Sequence, residues 1–288
     1  MKVSIVKTGR TTMGANRIGQ ILRPTHDIEF TKDSNANKFD AVVLHNRIDV
    51  RDNKKSIVYL CGGTTRKILD REDLRIKINN NPPAEIWTNS NQAAYLLKHR
   101  LPKIPCKCMY RPNALVIPKT CPPIPNNRRI LWYWIDNNDP YMDEEMQRRI
   151  VKAFINMYDV EIHLISSFRT ILYKFDGGFQ HVKWRGKVDF RNDLPEAHGF
   201  VRVSKQLDFG RSTFQALAYG RWCIYLNMDE DNIFSVDKIK NIPGAVDSFI
   251  KYTTQDETEK RWLHIKENFN EKALNKYWCK ELERVLST

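Results

Sequence analysis

Three consecutive side chains, Arg211-Ser212-Thr213, put a guanidinium and two hydroxyls at the start of a short amphipathic run in FGRSTFQALAYGRWCIYLN, residues 209–227. Phe214, Leu217 and Ala218 follow at i, i+3, i+4 spacing, which predicts one apolar helix face, and Gly220 is suited to end that helix before an apolar strand, Trp222 to Leu226. The triplet therefore stands at a helix N-terminus, where free backbone N–H groups, hydroxyls and a bidentate cation suit a phosphate. The alternative is a plain helix cap with a solvated arginine. Similar stretches recur wherever an apolar run ends: Lys7-Thr8-Gly9-Arg10 before a helix carrying Arg17, His45-Asn46-Arg47, Cys61-Gly62-Gly63-Thr64, and Ser166-Ser167-Phe168-Arg169. Glycine lets backbone approach a ligand, arginine favours an anion, and a histidine exchanges protons near neutrality. Each could equally be a polar loop. No GK[ST], G-x-S-x-G or H-E-x-x-H occurs, which argues against a Walker-type phosphate loop and the common hydrolase chemistries.

The elements that would position these residues are legible as an alternation. Val3 to Val6, Asp27 to Phe30, Ala41 to Leu44, Ser56 to Leu60 and Glu85 to Thr88 are short apolar runs separated by helix-like stretches such as Asn16 to Arg23 and Gln92 to Leu97. Strands apolar on both faces predict a parallel sheet covered by helices, an α/β fold. Ser90 is a candidate N-cap. Residues 111–129, RPNALVIPKTCPPIPNNRR, hold five prolines and predict an extended connection, so domains are expected at 1–116 and 117–288. A second α/β series follows: Ile130 to Ile135, a helix over Met142 to Met157, Glu161 to Ile165, and strands at Lys187 to Phe190, Gly199 to Val203 and Trp222 to Leu226. The charged tail from Asp256 to Leu286 predicts one or two helices, the last of which could pack back on the first domain.

Lys and Arg outnumber Asp and Glu by 21 to 10 over residues 1–116 and by 26 to 24 over 117–288. The basic first part predicts a polyanionic partner, nucleic acid or an anionic membrane surface, with added solubility as the bland alternative. Six cysteines without paired zinc-ligand spacing predict reduced thiols and no metal. No run is long and apolar enough for a membrane span, and a cytoplasmic protein is expected.

Two α/β halves, a proline-rich connection and a phosphate-suited helix start late in the second half resemble the GT-B glycosyltransferases. Leu207-Asp208-Phe209-Gly210-Arg211-Ser212-Thr213-Phe214-Gln215-Ala216-Leu217-Ala218-Tyr219-Gly220 resembles the family's E-P-F-G-x-[ST]-x-x-E-A-x-A-x-G segment. Tyr110-Arg111-Pro112-Asn113-Ala114 resembles its turn before the crossover. Leu207 and Gln215 replace both family glutamates, and the family's basic pair after the first strand of the second half is missing. The resemblance implies two Rossmann-like domains facing a cleft, with a nucleotide sugar, expected to be a UDP-sugar, as co-substrate and no tightly bound cofactor. It implies donor contacts from Gly9, Arg10, Ser166, Arg169, Gly186, Lys187, Val188, Arg211, Ser212, Thr213 and Gln215. His45 is the expected general base, with Asp40 and Asp49 as alternatives. Asp229-Glu230-Asp231 only imitates a metal motif.

Small basic enzymes of this type resemble phage transferases that glycosylate hydroxymethylated pyrimidines. On that resemblance the expected partner is double-stranded DNA with modified bases, in the host cytoplasm if the chain is phage-encoded. Arg17, Arg47, Lys54, Lys55, Arg66 and Lys67 would meet it. The alternatives are a surface polysaccharide or lipid-linked acceptor, or a non-catalytic DNA-binding relative.

Overall fold

The computed structural model describes residues 1–6, 12–31, 39–46, 56–61, 63–110, 115–134, 143–166, 182–186, 188–204, 210–225, 233–235 and 241–287. In chain order the elements are β1 (Lys2–Val6), α1 (Thr12–Leu22), β2 (Asp27–Thr31), β3 (Ala41–His45), β4 (Ser56–Leu60), α2 (Gly63–Asp70), α3 (Glu72–Asn80), β5 (Glu85–Thr88), α4 (Asn91–Arg100) and β6 (Cys106–Cys108). Then come β7 (Arg129–Tyr133), α5 (Glu144–Met157), β8 (Glu161–Ile165), β9 (Val182–Gly186), α6 (Phe190–Asp193), β10 (Gly199–Arg202), α7 (Arg211–Ala218), β11 (Trp222–Tyr225), β12 (Ile233–Ser235), α8 (Ile242–Tyr252), α9 (Gln255–Asn268) and α10 (Glu271–Ser287). They divide into two compact units, Met1–Ala114 with Asn268–Thr288, and Leu115–Lys205 with Gly210–Glu267.

Unit 1 holds a six-stranded sheet of order β2-β1-β3-β4-β5-β6, every pair parallel. Side chains alternate between its faces, as strand geometry requires. Val3, Ile5, Val43, Ile57, Tyr59 and Trp87 pack beneath α1 and α10, while Val6, Val42, Leu44, Val58 and Ile86 pack beneath α2, α3 and α4. The last helix belongs to this core: Leu274, Trp278 and Leu282 are buried in it, and Trp278 meets Trp87 edge-on at 5.2 Å. Trp278 also donates Nε1–H to the Tyr110 carbonyl at 3.0 Å, so its polar atom is satisfied without leaving the core. Ser90 caps α4 by accepting from the Ala93 amide at 3.1 Å.

Unit 2 holds a second all-parallel sheet, of order β12-β11-β10-β7-β8-β9. Ile130, Trp132, Val201, Val203 and Ile224 face α5 and α8, with Phe154 edge-on to Phe249 at 5.2 Å. The expected strand over Lys187 to Phe190 is corrected. The strand is β9, ending at Gly186 with φ 68°, and the Asp189 carboxylate then caps α6 by accepting from the Arg191 amide at 3.0 Å. A capping aspartate starts a helix where the apolar residues alone predicted an extended run.

The proline-rich segment, described from 115 on, has neither helix nor strand through residue 128 and is bound onto unit 2. Arg221 explains the opening stretch's second arginine. Its guanidinium is fully buried, donating Nε–H to the Leu194 carbonyl at 3.0 Å and Nη2–H to those of Pro123 at 2.8 Å and Pro195 at 3.0 Å. Trp262 adds a bond to the Pro118 carbonyl at 3.2 Å. Proline carbonyls need donors from elsewhere because prolines cannot enter a ladder themselves.

Candidate functional site

In an open parallel sheet, ligands bind beyond the carboxyl ends of the strands where the strand order reverses, because adjacent loops there diverge to opposite faces. Unit 2 reverses between β7 and β10. Tyr133 ends β7 and Arg202 ends β10, and the Arg202 guanidinium lies over the Tyr133 ring at 5.8 Å from its centroid. Although 8% exposed, Arg202 reaches the N-terminus of α7. A methyl group at Gly210, the N-cap, would fall 0.9 Å from Arg202 Nη1 and 2.2 Å from Cζ. Only a residue without a side chain leaves that space to the guanidinium. Two arginines, Arg202 and Arg211, thus flank a helix start that has no acidic residue in its first turn. The helix dipole adds positive potential, and the arrangement is one that suits an anion.

The structure sorts the residues expected on α7. Arg211 is exposed and Ser212 half-buried, both available to a ligand. Thr213 is fully buried, its hydroxyl without a hydrogen-bond partner among the described residues, so it faces the interior. Gln215 is 5% exposed and holds the connection: Nε2 donates to the Val116 carbonyl at 2.7 Å, and Oε1 accepts from the Val116 amide at 3.1 Å. Its amide therefore supplies a strand-like pairing, not a free ligand contact. Gly220 ends α7 with φ 72°, as a left-handed C-cap requires.

Ser166 follows β8 and is buried, its carbonyl accepting from Trp184 Nε1 at 3.2 Å. Gly186 and Val188 lie at the end of the edge strand β9, three strands and about 14 Å from β10. Sequence reasoning missed Arg202. The available signal was a cation closing an otherwise apolar strand, GFVR. Gly9, Arg10, Arg47, Asp49, Lys54, Lys55, Arg169, Lys187 and the Asp229-Glu230-Asp231 stretch lie outside the described residues.

Unit 1 reverses between β1 and β3, and His45 ends β3 at that point. It is 2% exposed, stacked on Tyr59 at 5.8 Å, with Nε2 3.7 Å from Cys61 Sγ. Asn46, at φ 54°, donates Nδ2–H to the same sulfur at 3.2 Å and accepts from the Cys61 amide at 2.8 Å. The imidazole is enclosed by this cluster. Asp40 is at the other end of β3, exposed, accepting from the Lys2 amide at 2.7 Å. That is the amino edge, a strand's length or about 16 Å from His45, so Asp40 is not a base for the carboxyl edge. Arg17 is half-buried on α1, and Arg66 pairs with Asp70 at 3.0 Å on α2 beside the exposed Lys67.

A depression of about 580 Å³ in unit 2, lined by Asn126, Asn127, Arg128, Asp159, Glu161 and Lys183, opens at the amino edge of the sheet. Glu161 is held down to about 2 by its bond from Lys183, aided by His163 and Arg129. This is the edge away from the switch point and is not the candidate site. Among the described residues no group of three or more His, Cys, Asp or Glu could hold a metal ion, and none of the six cysteines is in a disulfide.

No protein-family model and no curated protein matches the sequence. Solved structures do match. Sucrose-phosphate synthase from Thermosynechococcus elongatus aligns with TM-score 0.69 at 9% identity, over 100% of this chain and 99% of that one. The lipopolysaccharide outer core galactosyltransferase WaaB aligns with TM-score 0.62 at 12% identity, over 99% of both chains. TarM of S. aureus, solved with fondaparinux, α-GlcNAc-glycerol and UDP, aligns with TM-score 0.60 at 11% identity, over 86% of this chain. The chain spans only 56% of TarM and 59% of the matched chain of the GtfA/B complex. These descriptions name sugars, lipopolysaccharide and UDP, and no nucleic acid, which overturns the expectation of a DNA partner. Among the described residues, basic side chains of unit 1 such as Arg66, Arg71 and Lys107 are neutralised by Asp70, Asp73 and Glu281 instead of lining the carboxyl edge. No helix among the described residues is long and apolar enough to cross a membrane. At such identities the likeness is one of fold, and the fold is plain: two parallel-sheet, Rossmann-like units of the GT-B type.

Proposed function

We propose that the chain is a glycosyltransferase that moves a sugar from a nucleotide sugar, a UDP-sugar, to a hydroxyl of a saccharide or lipid-linked saccharide. The observation that carries this reading is the cationic edge of unit 2, where Arg202 is buried against the α7 N-terminus at the sheet's switch point. A diphosphate there would meet Arg202, Arg211, the Ser212 hydroxyl and free helix amides. In transfer, the acceptor oxygen bonds to the anomeric carbon while the bond from that carbon to the β-phosphate oxygen breaks. The nucleoside diphosphate leaves with the electron pair, and the acceptor proton passes to solvent. Cations fixed at the leaving diphosphate stabilise the charge that grows on it, which is the largest contribution such a site can make. His45 stands at the unit 1 switch point, but its enclosure by Tyr59 and Cys61 keeps the ring from an acceptor, and we assign it to shaping that edge. The likeness to solved sugar-handling proteins supports the reading at the level of fold.

The test is incubation with a panel of nucleotide sugars and saccharide acceptors, read by mass spectrometry, beside Arg202→Met and Arg211→Ala. A hexose mass gain on an acceptor, lost or strongly reduced in both variants, is the expected result. A folded protein that neither binds UDP nor releases it from any sugar nucleotide would overturn the proposal.

A further inference from the structure

The helices covering one face of the unit 1 sheet turn a basic outer side to solvent. They share that face because Ile68 of α2, Ile78 of α3 and Leu97 of α4 enter one cluster. Residues 63–80, α2 through α3, and residues 91–103, α4 and the turn after it, carry eight Lys and Arg against Asp70, Glu72 and Asp73. Arg66 and Arg71 are neutralised locally, at 3.0 Å from Asp70 and 2.6 Å from Asp73. Lys67, Lys98, Arg100 and Lys103 are exposed and have no ion-pair partner among the described residues.

Two large apolar side chains are exposed on the same helices. Tyr95 on α4 is 62% exposed and Ile76 on α3 is 52% exposed. The Tyr95 ring packs edge-on to His99 at 4.4 Å, which fixes it while leaving its outer surface in water. A surface for a soluble polyanion needs cations alone. A lipid surface also uses an amphipathic ring at headgroup depth and an aliphatic tip beneath it, with lysines and arginines on the phosphates. The combination found here fits the second.

We propose that the α2–α4 face of unit 1 docks on an anionic lipid bilayer. Docking deepens the function proposed above, because it would hold unit 1 at a membrane carrying a lipid-linked acceptor. The docking itself is measured without turnover, so it and the transferase reading can fail separately: Arg202→Met removes UDP binding and leaves docking untouched.

The experiment is co-sedimentation of the whole chain with phosphatidylcholine vesicles, with and without phosphatidylglycerol, at low and high salt. Binding is expected only with phosphatidylglycerol, weakened by salt. The triple variant Lys98→Gln, Arg100→Gln, Lys103→Gln should lose roughly 100-fold in partition coefficient, each cation contributing about fivefold. Tyr95→Ser should lose several-fold more lightly, and both variants should melt as the parent does, since the changed side chains are exposed. No association with phosphatidylglycerol vesicles, or equal association by the folded triple variant, would overturn the proposal. So would binding to soluble heparin without binding to vesicles.

Discussion

Gly210→Ala separates the Arg202 geometry from the stability of the helix it adjoins. Gly210 has φ −70° and ψ 143°, an extended conformation open to any residue, so the new methyl meets no backbone strain. What it meets is the guanidinium, 0.9 Å from Nη1, 2.2 Å from Cζ and 2.9 Å from Nη2. The far end of an arginine can swing away, and the remaining cost is that of alanine in place of glycine at an N-cap, about 1 kcal/mol or less. For a chain of this size that is a fall of about 2–4 °C in Tm. The function should suffer more. Moving a cation off a diphosphate forfeits a charge-assisted bond of about 1.5–3 kcal/mol, or roughly 10- to 100-fold in affinity. Calorimetric titration with UDP measures this, with a melting curve on the same samples. Arg202→Met should lose as much as Gly210→Ala, and the double variant little more, because both changes remove one contact. Parental UDP affinity in a folded Gly210→Ala protein would refute the placement of Arg202 at the donor phosphates. Additive losses in the double variant would show that the two residues act apart.

Three further outcomes follow from buried polar groups. Burial, with Arg128 and Arg221 nearby, lowers His198 to about 4. The unfolded chain, at about 6.5, then binds the proton better, so the stability is full above 6.5 and lost as pH falls toward 4, about 2 kcal/mol of it by pH 5. His163 and His26, also lowered by burial, act in the same direction, whereas the stability that Glu161 contributes is intact at pH 7 and 5 and is lost only as pH falls below the ordinary carboxylate range. Urea unfolding at pH 7 and 5 should show a drop that His198→Leu narrows by about 2 kcal/mol, and an unchanged drop counts against this account. Gln215→Glu, which restores a family-like glutamate, should destabilise by about 1–3 kcal/mol because an acceptor oxygen would face the Val116 carbonyl. A melting temperature equal to or above the parent's would contradict that. His45→Gln should keep turnover within about tenfold, since a true general base is worth about 10²–10⁴. A greater loss at unchanged melting temperature would make His45 the base.

The inner strands were legible because each is covered on both faces, which makes the whole run apolar, as in AVVLH and SIVYL; the edge strand β9, VKWRG, exposes its middle three residues and was placed too late in the chain. The α7 helix was legible at both ends, from its polar start and from a glycine whose left-handed conformation few other residues adopt. What escaped was orientation. Thr213 and Leu217 are four residues apart and share the buried face, so the periodicity that found the helix also placed Thr213 inward, while its hydroxyl suggested a ligand. Arg211 and Ser212 fall on the opposite side, where the ligand reading holds. The α2 and α3 helices were missed because Asp70, Arg71 and Glu72 interrupt the apolar period, and only Ile68 and Ile78 reach the core deeply. Arg202 escaped for the opposite reason: it ends a strand so apolar that its charge looked incidental. In an open parallel sheet the carboxyl edge is where ligands bind, and a cation that closes a strand there beside a helix N-terminus is suited to an anion. The missing basic pair after β7 is therefore no argument against diphosphate binding, because β10, hydrogen-bonded to β7 along its length, brings a guanidinium to the same switch point from the other strand.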